Sequence, residues 1–278
     1  MPRPDKLRRA AATCGAACGA AGGHLLLRRR LRLRRAAPFI DAAVVKQAKF
    51  RDPLYSEILR HLYSSLLVSC TFHGRKKETN IAKEYVLSER QIPMIFQGEN
   101  GCGKTSLLAK ISTEIRHWMG EAKDPVVIVR FIGTTADSSS ISPLLTSVCD
   151  QIAWNYDTKL KGQSPAELSK LFQHFKRMLA LATPEKPLVI FFDSLDLLST
   201  VDAAHELLWF PPTVPANVKF FASFTPGASS IERTIRRLVE DHSYYVTVEA
   251  MEKVGSGFWP RREEDGCLRL DVRWEVDI

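Results

Sequence analysis

The sequence lacks any long apolar run and any C-x-x-C pair of cysteines. Its apolar runs, such as Val126 to Val129 and Leu188 to Phe192, are short and end at the charged residues Arg130 and Asp193, whereas a membrane-spanning helix needs about 18 apolar residues. The six cysteines form no C-x-x-C pair and no regular metal-ligand spacing. These absences exclude a membrane span and favour a reducing compartment, which we expect to be the cytoplasm.

The chain has no net positive charge outside the N-terminal segment, although its overall net charge is +8. Residues 1–35 contain ten Lys and Arg side chains and one acid, Asp5, so the remainder is close to neutral. Such a distribution favours no specific nucleic-acid partner for the rest of the chain.

Residues 1–37 consist mainly of Ala, Arg, Gly and Leu, a composition that cannot pack a core. We predict a disordered or incidental extension. One alternative is a mitochondrial transit peptide, which is Arg-rich and acid-poor but usually also Ser-rich; this segment has no serine. A second alternative is nonspecific RNA binding through the same basic groups.

Apolar periodicity predicts an α/β protein. Helical spacing begins at Asp52-Pro53 and again over residues 77–88, within a helical lead-in of residues 38–90. Residues 91–250 then alternate between apolar runs and helical patterns, which predicts a parallel sheet covered by helices on both faces. The five predicted strands are Ile92 to Phe96, Val126 to Ile132, Leu188 to Phe192, Val218 to Phe224 and Tyr244 to Val248.

The helices between these strands have recognisable start signals. Ser140 precedes a helix with Pro143 in its first turn, and Ser164-Pro165-Ala166-Glu167 has the form of a capping box before another. Residues 231–239 form a further helical stretch. The tail, residues 251–278, shows no clear period, so its structure is left open.

A glycine-rich motif of the form G-x-x-x-x-G-K-[ST] lies between the first strand and an amphipathic helix. Glycines allow backbone N–H groups to surround phosphate oxygens, and the N-terminus of the helix that follows favours the same anion. The lysine is expected to reach the β- and γ-phosphates and the threonine hydroxyl to ligate Mg²⁺. The predicted nucleotide-binding residues are Gly98, Glu99, Asn100, Gly101, Cys102, Gly103, Lys104, Thr105 and Ser106.

Cys102 is the unusual residue of this motif. Its side chain is expected to point away from the ligand, and a redox-sensitive thiol is the alternative.

An aspartate that can hold the metal follows the third strand. Asp193 comes directly after five apolar residues, so it is expected at the exposed carboxyl end of a buried strand, where ligands bind in open α/β sheets. We predict that Asp193 and Thr105 bind Mg²⁺. Asp196 is the catalytic candidate, since it could polarise an attacking water; the alternative is that it caps the next short helix.

The end of the fourth strand, Ser223-Phe224-Thr225, is polar as well. A hydroxyl there could sense the γ-phosphate, or the segment could be a plain transition from strand to loop. No N-K-x-D motif for reading guanine is present, which favours adenine, hence ATP or ADP.

With these residues, the stretch from about His73 to Val248 resembles the NACHT domains of the STAND class of P-loop ATPases, especially those that carry WD40 or TPR repeats. The residues that carry the resemblance are His73-Gly74-Arg75 with Glu78, Gly98 to Thr105, Arg130-Phe131-Ile132-Gly133-Thr134, Phe192-Asp193-Ser194-Leu195-Asp196 and Pro215-Ala216-Asn217-Val218-Lys219.

The resemblance implies a P-loop NTPase three-layer sandwich whose five-stranded parallel sheet has the order 5-1-4-3-2. It also implies an ATP/ADP-operated switch in which nucleotide exchange drives association with protein partners or with further copies. In that family Asp193 would match the Mg²⁺ aspartate and Asp196 the second acid of the motif. A winged-helix segment and a repeat sensor usually follow; their absence here leads us to expect a truncated form of a longer protein.

Two departures from the family pattern bear on catalysis. Leu197 stands where the family often places another acid, and Ser223-Phe224-Thr225-Pro226 lacks the arginine that many members have. We therefore expect slow hydrolysis or none. The alternatives to a switch are a motor or metabolic kinase and an inert decoy that pairs with a full-length partner.

Overall fold

The computed structural model describes residues 53–70, 72–160, 162–227 and 230–250. The predictions for the basic segment 1–37, for residues 38–52 and for the tail 251–278 therefore lie outside the described residues. Seven α-helices are described, and they are α1 Pro53–Cys70, α2 Lys76–Leu87, α3 Lys104–Met119, α4 Ala136–Ser139, α5 Ile141–Asn155, α6 Leu168–Leu179 and α7 Ser230–Leu238.

Five strands form one sheet in which every described pairing is parallel. They are β1 Met94–Gln97, β2 Val126–Phe131, β3 Leu188–Asp193, β4 Val218–Phe224 and β5 Tyr245–Thr247. The spatial order is β2-β3-β4-β1-β5, which confirms the expected order 5-1-4-3-2. Because β4 lies between β1 and β3, the carboxyl ends of these three strands meet at one edge of the sheet.

Aromatic residues on alternating positions of the central strands fill both faces of the sheet. Phe191 and Phe221 stack with ring centroids 4.6 Å apart, and Tyr85 of α2 packs edge-on against Phe221. Their chain neighbours point to the opposite face, as the two-residue period of a strand requires. There Phe192 contacts Phe175 of α6. Helices thus cover both faces, which confirms the three-layer architecture.

A buried polar network joins α1 to the carboxyl end of β2. The His61 Nδ1 accepts from the backbone N–H of Phe131 over 3.1 Å, so the ring proton is on Nε2, which donates to Glu57 Oε1 over 2.8 Å. Thr135 donates to the same carboxylate oxygen. Burial lowers the pKa of His61, and the ring is held neutral because Nδ1 already accepts a hydrogen bond.

Arg130 of β2 is fully buried and finds its counter-charge in this network. Its guanidinium donates to Val129 O and to the hydroxyl and carbonyl oxygens of Ser147 on α5. Burial lowers the pKa of Arg130 to about 10, and the charge of Glu57 partly offsets that effect. The guanidinium therefore remains charged at neutral pH. Helix α1 supplies the compensating carboxylate, which makes α1 a part of the folded core.

Two local predictions differ from the structure. The capping box at Ser164-Pro165-Ala166-Glu167 is not formed: α6 begins at Leu168, its N-cap is Glu167 without a side-chain cap, and Ser164 donates to Asp150 instead. This tertiary hydrogen bond takes the hydroxyl that the cap would need. The first strand begins at Met94, two residues later than predicted, directly after Pro93, which cannot donate to a strand ladder. Within the described part of the chain, no helix is both long enough and apolar enough to cross a membrane.

Candidate nucleotide-binding site

The glycine-rich motif forms a loop, here called the glycine loop (residues 98–105), that connects β1 to α3. Gly101 and Gly103 have φ angles of +79° and +98°, a region that favours glycine. A Cβ at either position would meet no atom within 4 Å, so backbone conformation rather than packing requires glycine there. Helix α3 begins at Lys104 with Gly103 as N-cap and no side-chain cap. The first N–H groups of α3 have no acceptor within the helix.

Gly98 is required for a different reason. A Cβ on this residue would come within 2.3 Å of the Val248 carbonyl oxygen and 2.8 Å of Cys102 Sγ. The chain leaving β5 therefore packs directly against the start of the glycine loop. Cys102 itself is 2% exposed, so its thiol lies in the core.

Lys104 is buried within the loop that precedes it. Its ammonium donates to Gly98 O over 2.7 Å, to Glu99 O over 3.1 Å and to Thr225 Oγ1 over 3.3 Å. The side chain is thus directed back over the glycine loop rather than along α3. All three acceptors are neutral, which leaves the positive charge of Lys104 available to an anion at this position.

Thr105 and Asp193, which the sequence places 88 residues apart, lie in direct contact. Thr105 Oγ1 donates to Asp193 Oδ2 over 2.7 Å, and Ser223 Oγ donates to Asp193 Oδ1 over 2.6 Å. Asp193 is the last residue of β3, at the carboxyl end as predicted, but it is 2% exposed, so the expectation of an exposed position is wrong. Burial raises the pKa of Asp193, against the hydrogen bonds from Ser223 and Thr105 and the charge of Lys104.

Asp196 lies in a short 3₁₀ helix, Leu195–Leu197, and its Oδ1 accepts from the backbone N–H of Thr225 over 3.0 Å. It caps neither this helix nor the next one, Val201–Glu206, because Ser194 and Thr200 occupy those N-cap positions. The capping alternative is therefore wrong. The catalytic role of Asp196 stays a prediction.

Thr225 connects the loop after β4 to the glycine loop. Its hydroxyl accepts from Lys104 and donates to Asn100 Oδ1 over 3.3 Å, while its N–H binds Asp196. The two polar residues at the end of β4 thus contact different parts of the site: Ser223 contacts Asp193, and Thr225 contacts Lys104. Of the other predicted residues, Glu99 contributes its carbonyl to Lys104 and Ser106 lies half-buried in the first turn of α3.

Arg75 is a contact to the loop that sequence reasoning did not assign. Its Nη2 donates to Cys102 O over 2.8 Å and also to Glu249 O, and its Nη1 contacts Glu78 over 3.3 Å. One side chain therefore joins α2, the glycine loop and the chain that leaves β5. The sequence signal for this contact was the His73-Gly74-Arg75 motif. Arg75 lies 27 residues before Cys102 in the chain, so the sequence alone does not show that the two meet.

These residues fit a nucleotide with a divalent cation. The N-terminus of α3, uncapped by a side chain, and the Lys104 ammonium suit an anion such as a phosphate chain. A carboxylate and a hydroxyl oxygen, 2.7 Å apart at Asp193 and Thr105, are the hard ligands that Mg²⁺ prefers. No other common class of ligand fits this combination of ammonium, hydroxyl and carboxylate groups as well.

The parallel sheet of order β2-β3-β4-β1-β5, with a glycine loop between β1 and α3, defines a P-loop nucleotide-binding domain. Within that class the chain belongs to the NACHT domain family, whose sequence profile matches residues 92–255. It is therefore a nucleotide-binding module of NACHT type.

Two human proteins whose names include NACHT are similar to this chain. The chain is 37% identical over 204 residues to the human protein "NACHT and WD repeat domain-containing protein 2", a match that covers 70% of this chain and 12% of that protein. It is 28% identical over 207 residues to human "NACHT domain- and WD repeat-containing protein 1", covering 71% and 13%. The matched region thus spans about an eighth of the length of these relatives.

Solved structures with a similar arrangement include the Aeropyrum pernix ORC1 protein in complex with DNA, at a TM-score of 0.44 and 12% identity, covering 68% of this chain and 49% of that chain. A second is Caenorhabditis elegans PCH-2, at a TM-score of 0.34 and 12% identity, covering 75% and 43%.

Proposed function

We propose that this chain is an ATP/ADP-operated switch whose nucleotide state controls its association with protein partners or with further copies of itself. The observation that carries the proposal is the convergence of Lys104, Thr105 and Asp193 at the carboxyl edge of the sheet. Family membership and relatives whose names include WD repeats support a role in protein assembly.

Each residue has a defined role in nucleotide binding. The N–H groups at the start of α3 and in the glycine loop would bind phosphate oxygens, and Lys104 would exchange its loop acceptors for the β- and γ-phosphates. Thr105 and Asp193 would hold Mg²⁺, which would neutralise phosphate charge when bound. Ser223 orients the Asp193 carboxylate through its 2.6 Å hydrogen bond.

The hydrogen bonds of Thr225 would depend on whether a γ-phosphate is bound. Its hydroxyl touches Lys104 and Asn100, so any movement of Lys104 toward a γ-phosphate changes the hydrogen bonds of Thr225. The loop after β4 would therefore differ between the ATP and ADP states. This difference is the physical basis of the proposed switch.

Hydrolysis is proposed to be slow. Asp196, the candidate for activating water, already accepts a hydrogen bond from the Thr225 N–H. Leu197, at the position where the family often has an acid, is 55% exposed and packs beside Gly133. Leu197 offers no base, and the hydrogen bond to the Thr225 N–H stabilises the Asp196 carboxylate, which makes Asp196 a weaker base.

The switch is tested by comparing the chain saturated with Mg²⁺–ATP and with Mg²⁺–ADP. Solution mass by light scattering and amide hydrogen exchange of Thr225 and Gly227 are measured in both states. The proposal expects a nucleotide-dependent change in exchange at this loop and in mass. Identical mass and exchange in the two states would contradict the switch while leaving nucleotide binding intact. The matched control is Lys104→Ala, which should show no difference between nucleotides.

A further inference from the structure

A chain of side-chain hydrogen bonds runs from the loop after β4 to the end of β1. Its members, here called the arginine relay, are Glu232 and Arg236 of α7 and Gln97 of β1. Glu232 Oε2 accepts from the backbone N–H of Gly227 over 2.9 Å. Glu232 Oε1 accepts from Arg236 Nε and Nη2 over 3.1 and 2.8 Å, and Nη2 also donates to Gln97 Oε1 over 2.9 Å.

Both ends of this relay lie next to residues of the nucleotide-binding site in the chain. Gln97 is the last residue of β1 and directly precedes Gly98, where the glycine loop begins. Gly227 closes the turn that starts at Thr225, and its φ of +118° favours glycine. The relay therefore connects the glycine loop to the loop after β4. The hydrogen bond between Lys104 and Thr225 joins the same two loops directly.

The guanidinium of Arg236 is held in one position by aromatic rings as well as by hydrogen bonds. It lies 5.4 Å from the ring centroid of Tyr245 and 6.0 Å from that of Phe224. The Tyr245 hydroxyl donates to the carbonyl of Val239, just beyond α7, over 2.8 Å. Stacking and a fork of donors are properties of arginine that lysine does not share.

The orientation of the Gln97 amide follows from its two partners. Its oxygen accepts from Arg236, and its Nε2 donates to Thr247 Oγ1 on β5 over 3.1 Å. The reversed amide would direct two donors at a cation, so only one orientation satisfies both contacts. The relay is thereby fixed to β5 as well as to β1.

We infer that Arg236 is a positioning residue for the nucleotide-binding site, which holds the loop after β4 so that Thr225 stays against Lys104. This inference rests on the proposed function of the site, but the geometry it describes exists without nucleotide. Thr225 has Pro226 as its neighbour, which donates no backbone hydrogen bond. Beyond Pro226, the backbone of this turn is therefore held by the hydrogen bond from the Gly227 N–H to Glu232.

Amide hydrogen exchange of the nucleotide-free chain tests the inference first. Arg236→Lys keeps the charge but loses the fork, and Glu232→Gln leaves one acceptor oxygen for the three N–H groups that Glu232 binds. Both variants should accelerate exchange at Thr225 and Gly227 by about fivefold or more. Arg237→Lys is the matched control, since Arg237 is an exposed neighbour on the same helix. Unchanged exchange in both relay variants would overturn the inference.

A double-mutant cycle on Mg²⁺–ATP affinity then tests whether Arg236 acts through Thr225. Arg236→Lys and Thr225→Val should each weaken binding, and the double variant should bind no more weakly than the weaker single variant. Multiplicative losses would show that Arg236 acts independently of Thr225, contrary to the inference. If the wild type bound no nucleotide, the proposed function would fail, whereas the exchange measurement would still decide the role of Arg236.

Discussion

Thr105 Oγ1 donates a 2.7 Å hydrogen bond to Asp193 Oδ2, which joins the first turn of α3 to the end of β3 across 88 residues of sequence. Mg²⁺ bound here would be ligated by both oxygens, so the hydrogen bond marks where the two ligands meet. The Asp193 carboxylate is nearly fully buried, which raises its pKa, and the hydrogen bonds from Ser223 and Thr105 and the charge of Lys104 act against that effect.

Removing the charge of Asp193 should abolish the contribution of the metal. Asp193→Asn keeps the shape of the side chain and an acceptor for Ser223 but is a poor Mg²⁺ ligand. We expect ATP affinity in Mg²⁺ to fall about tenfold or more, to the value measured in EDTA, a loss of about 1.4 kcal/mol. Titrations with and without Mg²⁺ measure this. Retention of the Mg²⁺ effect in the variant would show that Asp193 is not a metal ligand.

Gly98 should tolerate no side chain. In Gly98→Ala the new Cβ would lie 2.3 Å from Val248 O and 2.8 Å from Cys102 Sγ, so either β5 or the glycine loop must move. We expect a loss of about 1–3 kcal/mol in the free energy of unfolding, measured by urea titration. Adding Cys102→Ala relieves only the contact with sulfur, so the double variant should not recover. Full recovery would place the conflict at the thiol instead.

Acid should weaken the attachment of α1. The pKa of His61 is lowered by burial. Burial raises the pKa of Glu57, but the hydrogen bonds from His61 and Thr135 together with nearby positive charge, including Arg130, lower it overall. Both groups take up protons more readily when unfolded. Their contribution is complete above the ordinary His pKa of 6.5 and is lost as the pH falls, first through His61 and then, below 4.5, through Glu57.

The corresponding measurement is the free energy of unfolding between pH 7.5 and 5 for the wild type and for His61→Gln. The wild type should lose up to about 1.4 kcal/mol more per pH unit below 6.5 than the variant does. Parallel pH profiles for the two proteins would mean that His61 does not titrate differently on folding.

The stacked rings at the centre of the sheet should dominate its stability. Phe221 is fully buried between Phe191 and Tyr85, so Phe221→Ala leaves a cavity in close-packed surroundings. We expect a loss of about 3–5 kcal/mol. Leu87→Ala serves as control, since Leu87 is 57% exposed and its truncation should change stability by less than about 0.5 kcal/mol. Equal losses would contradict the assignment of the core.

Much of the fold could be predicted because its signals are local. The apolar run before Asp193 predicted β3 and the position of the aspartate at its end, and the motif between β1 and α3 predicted the glycine loop. Contacts between distant segments carried no such signal. Nothing in the sequence pairs Arg75 with Glu249, 174 residues away, or His61 with the Phe131 amide.

The two wrong predictions of helix caps have the same origin. The capping box at residues 164–167 satisfied a local pattern, but the Ser164 hydroxyl bonds to Asp150 on the neighbouring α5. Asp196 has the residue type and spacing of a helix cap, yet its carboxylate accepts from the N–H of Thr225, in the loop after β4. In both places a tertiary hydrogen bond replaces the local one that the pattern favoured.

The most direct test of nucleotide binding is a calorimetric titration of Mg²⁺–ATP into the wild type and into Lys104→Ala. Lys110→Ala is the matched control, because Lys110 lies on the same helix and pairs at the surface with Glu114. We predict saturable binding by the wild type and the control, and an affinity at least about tenfold weaker for Lys104→Ala, a difference of about 1.4 kcal/mol. Equal affinities of the wild type and Lys104→Ala, or no binding by the wild type, would contradict the account.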